Sequence, residues 1–227
     1  MAIVKHIKSK NANYTDAINY LFYQHDEKTK TLLLNEYGQP MLREEFYADG
    51  LNCTPETFDL DCSGTNRTFN KNRRPGEIKS HHYIISYDPR DASDCGLTGE
   101  KAQELSLEVA QKMFPGHQAL VVTHTDGENH SGNIHTHIVI NSVRANETEK
   151  EDYMTQASDY KAGGKHRSTN KFMEHFKKEV MAMCEREGLH QIDLLSPAPE
   201  KVTEAEFRAK SRGQEKMEKI NKKITAE

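Results

Sequence analysis

Three histidines in one short stretch are the residues of this chain best suited to chemistry: His124, His135 and His137, within Val121 to Val143, VVTHTDGENHSGNIHTHIVINSV. His135 and His137 stand two apart in Ile134–Val143, a β-branched and apolar run that predicts a strand, so both imidazoles point to one face. His124 closes an earlier alternating run, Gln118–Thr125. The intervening TDGENHSGN is turn chemistry, so the two strands are expected to pair antiparallel around a long loop. Across that ladder His124 faces the other two at a Cβ separation of roughly 5 Å, and three ring nitrogens can converge on one ion at about 2.1 Å each. Three neutral imidazoles without a fourth protein ligand leave positions for substrate oxygens, as in a catalytic site rather than a closed structural one. An isolated His-x-His pair is more often half-exposed surface. The third histidine, with Asp126 two residues beyond it and Asn141 four beyond His137, favours the metal. Imidazoles alone suit zinc, iron, copper or nickel, whereas phosphate chemistry favours magnesium or manganese.

These strands need elements to hold them. Ala2–His6 reads as a short strand, and Thr15 caps a short helix whose apolar face is Ile18, Leu21 and Phe22, with Tyr14, Tyr20 and Tyr23 on or beside it. Thr29–Leu42 reads as a β-hairpin arm. An acidic, irregular segment follows through Asp61, with a short helix in the Cys53–Cys62 region. Residues Ser63–Lys79 are expected to form a basic loop in which Arg73 and Arg74 can meet backbone phosphates. His82–Tyr87 is a strand stopped by Asp88-Pro89, and Thr98–Phe114 is an amphipathic helix with Ala102, Leu105, Val109 and Met113 at helical spacing. The β-α-β-β order predicts an α/β (α+β), two-layer domain with a central, mainly antiparallel sheet and helices packed on it. Asp159–Asn170 is Gly-rich and cationic without a P-loop pattern, and offers Lys165, His166 and Arg167 to phosphates. Thr169 or Asn170 caps a helix that runs to about Glu187 and stops at Gly188, and HQIDLL resembles a final strand. Ser196-Pro-Ala-Pro breaks the chain, and Thr203 to Glu206 forms a capping box. Residues 1–198 are therefore read as one domain and 199–227 as a charged helical extension that continues into a further C-terminal region.

Composition excludes some classes. Hydrophobic residues make up 35% and charged residues 29% of 227, enough for one good core. No run reaches the ~18 apolar residues of a membrane span, and MAIVKHIKSK lacks the apolar core of a signal peptide, so a cytoplasmic location without membrane association is expected. Cys53, Cys62, Cys95 and Cys184 show no C-x-x-C pair and read as reduced thiols. A net charge of −4 gives no global support for nucleic-acid binding. The basic residues nevertheless cluster in Arg67–Lys79, Lys161–Lys178 and Lys210–Lys223. Any one cluster taken alone is better read as a solvated face.

Taken together, His124, Asp126, His135, His137 and Asn141, as H-x-D and H-x-H-x-x-x-N, resemble the motif of relaxases in the HUH endonuclease superfamily, specifically the MobA/MobL-like (MOBP) mobilisation nucleases of plasmids and conjugative transposons. NYLFYQHDEKT, SHHYIISYDPRD, AGGKHRSTN and IDLL are similar to segments of relaxases from Gram-positive conjugative transposons. The resemblance implies an HUH relaxase or RRM-like core and a divalent metal ion, magnesium or manganese before zinc or nickel. It places Tyr20 at the nucleophile position, attacking single-stranded transfer-origin DNA to leave a 5′-phosphotyrosyl linkage and a free 3′-OH. Asp126 or Asp88 is then expected to orient a histidine ligand, and Arg73, Arg74, Lys165, His166 and Arg167 to contact DNA. Implied partners are transfer-origin DNA as strand or hairpin, an accessory DNA-binding protein, and the coupling protein of a type IV secretion system, for a monomer in the bacterial cytoplasm. Two other classes stay open: a metal-dependent hydrolase that activates water, and a non-catalytic DNA-binding module.

Overall fold

The computed structural model describes residues 2–26, 29–126, 133–196 and Gly213. Residues 1–195 form one compact unit and 196–227 a second. The expected extension and its capping box lie outside the described residues, apart from Gly213, which is helical. Among the described residues no helix is long and apolar enough to cross a membrane.

The sheet has five strands: β1 (Ile3–Ser9), β2 (Phe46–Leu51), β3 (Ser80–Ser86), β4 (Ala119–His124) and β5 (His135–Asn141). Their order is β1-β3-β5-β4-β2, every pair antiparallel. β5 is therefore central and β4 beside it, as expected of two strands whose residues are almost all buried. The helices are α1 (Thr15–Phe22), α2 (Phe58–Thr68), α3 (Pro89–Asp94), α4 (Gly99–Met113) and α5 (Asn170–Arg186).

Alternation along the strands sorts the two faces. Tyr83, Ile85, Val121, Ile138 and Ile140 pack with Leu105, Val109 and Met113 of α4 and with Phe172, Phe176 and Val180 of α5. Leu120, Val122 and Val139 point the other way and pack with Tyr14 and with Leu21 of α1, and with Phe58 and Cys62 of α2. The expected helix-backed antiparallel sheet is thus formed by α4 and α5, while the short α1 and α2 cover part of the opposite face, where the histidines lie.

Local signals act as expected in the two long helices. The Thr98 hydroxyl accepts from the Lys101 amide at 3.1 Å and the Thr169 hydroxyl from the Phe172 amide at 3.2 Å, each capping its helix. Gly188, at φ +67°, ends α5 in the left-handed conformation. At α1 the cap differs from expectation. Tyr14 holds the N-cap position without a side-chain cap, and the Thr15 hydroxyl donates to Asp59 instead, at 3.0 Å.

Three further expectations need correction. β2 forms within the segment read as irregular, and α2 runs to Thr68, into the residues read as loop. β2 is half-buried along its whole length, so FYADGL carries no alternation to read. Its Gly50 is required: a Cβ there would lie 2.2 Å from the Cys53 carbonyl oxygen. HQIDLL is not a strand. The amide of His190 donates to the Asp91 carboxylate at 2.8 Å, and the Ala2 amide donates to the His190 carbonyl at 3.3 Å. The hairpin arm is present, as bridges pairing Tyr23 with Leu42, His25 with Leu32 and Leu34 with Pro40.

Candidate metal centre and its tyrosine

His124 and His135 are register partners on β4 and β5, and His137 follows two residues along the same face. The loop expected between the strands lies largely outside the described residues. One ring nitrogen from each histidine lies within 4.8 Å of the others, and the ring centroids are 4.9–5.3 Å apart. Ligand nitrogens about 2.1 Å from a shared ion sit about 3.0–3.4 Å from one another, a spacing inside that 4.8 Å limit.

Hydrogen bonds fix which nitrogens are free. His124 Nε2 donates to the Leu21 carbonyl at 2.7 Å and His135 Nδ1 to the Asn133 carbonyl at 3.0 Å. A carbonyl can only accept, so Nδ1 of His124 and Nε2 of His135 keep their lone pairs. His137 Nδ1 lies 2.7 Å from His82 Nε2. When His137 donates across that contact, its Nε2 is the third free lone pair. This is the outer-shell support expected of metal-binding histidines, supplied by two backbone carbonyls and a fourth imidazole.

The electrostatics match. His124 and His137 are 1% and 3% exposed. Burial, with the Arg43 guanidinium next in importance, lowers the pKa of His124 to about 3. Burial and then His82 hold His137 well below the ordinary histidine range, and burial lowers His82 to about 4. Neutral imidazoles at physiological pH are what a dication requires. The residues present therefore fit a divalent ion.

The three tyrosines near α1 separate clearly. Tyr20 is 49% exposed, and its ring meets that of His137 edge-on at 6.0 Å and that of His25 at 5.9 Å. Tyr14 is buried. Its hydroxyl donates to the Lys79 carbonyl (2.9 Å) or Asn141 Oδ1 (3.1 Å) and accepts from Asn66 (2.9 Å). Burial raises its pKa to about 12, which makes it a poor nucleophile. Tyr23 lies at the C-cap of α1.

Other sequence-derived candidates are placed elsewhere. The Asp126 carboxylate binds Arg43 at 2.8 Å. Asp88 caps α3, accepting from the Arg90 amide at 2.9 Å, and pairs with the Arg90 guanidinium. The hydrogen bonds to the three rings come from Leu21, Asn133 and His82 rather than from either carboxylate. Asn141 is fully buried, and its side chain links Tyr14, Gln118 and the Val143 amide. Its side-chain amide nitrogen also donates to the Cys62 carbonyl of α2 at 3.4 Å. Sequence reasoning missed His82; the only signal was the paired histidines at the start of β3.

Of the basic residues, Arg73 and Arg74 line a concave surface with Asn70, Lys71 and Glu77. Lys165 approaches it through an ion pair with Glu77 at 3.8 Å. His166 does not reach the surface as a DNA contact. It is buried among Tyr83, Phe114 and Phe172, and its Nε2 is 2.7 Å from the Tyr83 hydroxyl. Arg167 is held by Asp159 at 2.8 Å and Thr155 at 2.7 Å.

The model of the relaxase nuclease domain, MobA/VirD2-like, matches residues 33–189. That span includes all three histidines and begins after Tyr20. Two Staphylococcus aureus proteins named Rlx are similar: one is 32% identical over 140 residues, 62% of this chain and 36% of the relative. The other is 27% identical over 158 residues, 70% of this chain and 39% of the relative. The chain thus spans less than two-fifths of the curated relatives it matches. Among solved structures, the MobM relaxase domain bound to a 26-nucleotide pMV158 oriT DNA is 15% identical, with a TM-score of 0.47 over 91% of this chain and 98% of that one. A structure concerning vancomycin resistance transfer in Staphylococcus aureus is also 15% identical, with a TM-score of 0.48 over 84% and 96%.

Proposed function

The chain belongs to the family of MobA/VirD2-like relaxase nuclease domains, and from that premise we propose that it nicks single-stranded transfer-origin DNA through attack by Tyr20. The observation that carries the assignment is the half-exposed Tyr20 ring standing edge-on to His137 at 6.0 Å. The hydroxyl oxygen of Tyr20 bonds to phosphorus as the P–O3′ bond breaks. The phenol proton leaves to solvent, the 3′ oxygen takes one up, and the phosphate stays on the 5′ end of the downstream strand as a phosphotyrosine. The phosphoester energy is kept for rejoining.

His124, His135 and His137 would hold a divalent ion, magnesium or manganese before zinc or nickel, which would supply positive charge to offset that developing on the phosphate. The chain's own residues do the rest. Leu21, Asn133 and His82 fix the imidazoles, and α1 sets the tyrosine beside them. Arg73, Arg74 and Lys165, with Lys71, are placed to meet backbone phosphates. The remaining partners of this reading, an accessory DNA-binding protein and a coupling protein acting with a cytoplasmic monomer, rest on the family alone.

The test is denaturing gel electrophoresis after incubation with labelled transfer-origin oligonucleotide and Mn²⁺, beside Tyr20→Phe and a chelator. A shifted band that survives denaturant and disappears in both controls supports the reading. Cleavage without a shift would instead indicate water as nucleophile, and binding without cleavage a DNA-binding module.

A further inference from the structure

Asp91, Cys95 and His190 form a second cluster that the nicking chemistry does not use. Asp91, in the first turn of α3, and Cys95, its C-cap, are i, i+4 and so share a face. His190 follows two residues after the Gly188 turn that ends α5. Their donor atoms already converge. His190 Nδ1 is 2.7 Å from Asp91 Oδ1, Cys95 Sγ is 3.8 Å from the same oxygen, and Sγ is 3.9 Å from His190 Nδ1. A tetrahedral ion about 2.3 Å from sulfur and about 2.0–2.1 Å from nitrogen and oxygen needs edges of roughly 3.3–3.7 Å. Two edges are within a few tenths of an ångström of that range, and the third opens once a shared proton leaves.

We propose that Asp91, Cys95 and His190 bind a thiophilic divalent cation of the zinc class. The donor set of thiolate, imidazole and carboxylate suits zinc far better than magnesium. The Asp91 side chain is fully buried; its Oδ2 accepts from the Asp88 amide at 3.0 Å, which turns Oδ1 toward the other two donors. Asp94 lies 3.4 Å from His190 Nε2, where its carboxylate favours a proton on that nitrogen once Nδ1 gives up the one it donates to Asp91. Cys95 is exposed, which gives the ion an entry path and a fourth position for water. On binding, the Cys95 S–H bond breaks as the sulfur–metal bond forms, and the proton that His190 Nδ1 donates to Asp91 leaves as the nitrogen–metal bond forms. The neutral ring takes up one proton at Nε2, so the net release to solvent is one proton. The ion would clamp α3 to the segment after α5, whose His190 carbonyl also receives the Ala2 amide.

The site contains a thiolate and the three-histidine centre does not, so cobalt distinguishes them. Metal-free full chain is titrated with Co²⁺, and the near-ultraviolet thiolate-to-cobalt charge-transfer band is followed in the native sequence, His135→Ala, Cys95→Ser and Asp94→Asn. The band is expected in the native and His135→Ala proteins, absent in Cys95→Ser, and reached in Asp94→Asn only at about tenfold higher cobalt or more. Zn²⁺ should displace it, and should raise Tm in His135→Ala but not once Cys95→Ser is added. No thiolate band at saturating cobalt, or a band that survives Cys95→Ser and so belongs to another cysteine, overturns the proposal.

Discussion

His124 Nε2 donates to the carbonyl of Leu21 across 2.7 Å, and Leu21 is the residue after Tyr20. The last turn of α1 is therefore keyed directly to the histidine cluster: the backbone that presents the tyrosine also fixes the tautomer of His124. This contact, rather than any loop, sets the distance between nucleophile and metal in the proposed reaction.

Removing the two tyrosine hydroxyls should have opposite effects. Tyr14→Phe leaves Lys79 and Asn141 short of a buried donor and should cost about 1–3 kcal/mol of stability, while covalent adduct still forms at permissive temperature. Tyr20→Phe should leave Tm nearly unchanged and abolish the adduct. Thermal denaturation beside a single-turnover nicking assay reads both; adduct lost in Tyr14→Phe at full folding would reverse the assignment.

His82 should matter for the metal without touching it. Replacing it with Phe removes the 2.7 Å contact to His137 and should weaken Mn²⁺ affinity about 10- to 100-fold by calorimetry. Unchanged affinity would show that His137 is oriented by something else.

Stability should fall in mild acid. In the metal-free fold burial, as the largest cause, lowers His6 to about 4, His81 to about 3, His82 to about 4 and His124 to about 3, all below the ordinary 6.5. Above pH 6.5 these rings are neutral folded or unfolded and cost nothing. Below it the unfolded chain takes up protons that the folded chain refuses, so stability is lost as pH falls from 6.5 toward 4. Tm of metal-free protein should drop by about 5 °C or more between pH 7 and pH 5. A flat Tm over that interval would contradict it.

The basic residues should divide into two groups. Neutralising Arg73 and Arg74 together should weaken single-strand binding across sequences and reduce the salt slope by about one to two. Arg167→Ala should lower Tm and leave that slope alone, because its guanidinium is committed to Asp159 and Thr155. Equal slopes in all variants would remove Arg73 and Arg74 from the DNA surface.

The contrast shows what was legible in the sequence. Period-two alternation placed His124, His135 and His137 on one face, because β4 and β5 are central and buried. Helical period and Thr caps likewise located α4 and α5. β2 was not legible, since a half-buried edge strand with Asp49 and Gly50 alternates in nothing. His82 was missed because its partner lies diagonally across the β3–β5 ladder, where register puts it opposite Val139, two residues from His137. His166 misled because it stands between two cations in a Gly-rich run, while its side chain enters the core. The Asp91–His190 cluster joins positions 99 residues apart, a proximity only the fold creates.

The most direct test of the central claim is to digest the covalent protein–DNA product and locate the modified residue by mass spectrometry. The account predicts the nucleotide, joined through its 5′ phosphate, on Tyr20 alone, and no modified peptide from His135→Ala protein. Attachment at Tyr23 or another residue, or a product equally abundant in His135→Ala, would contradict it.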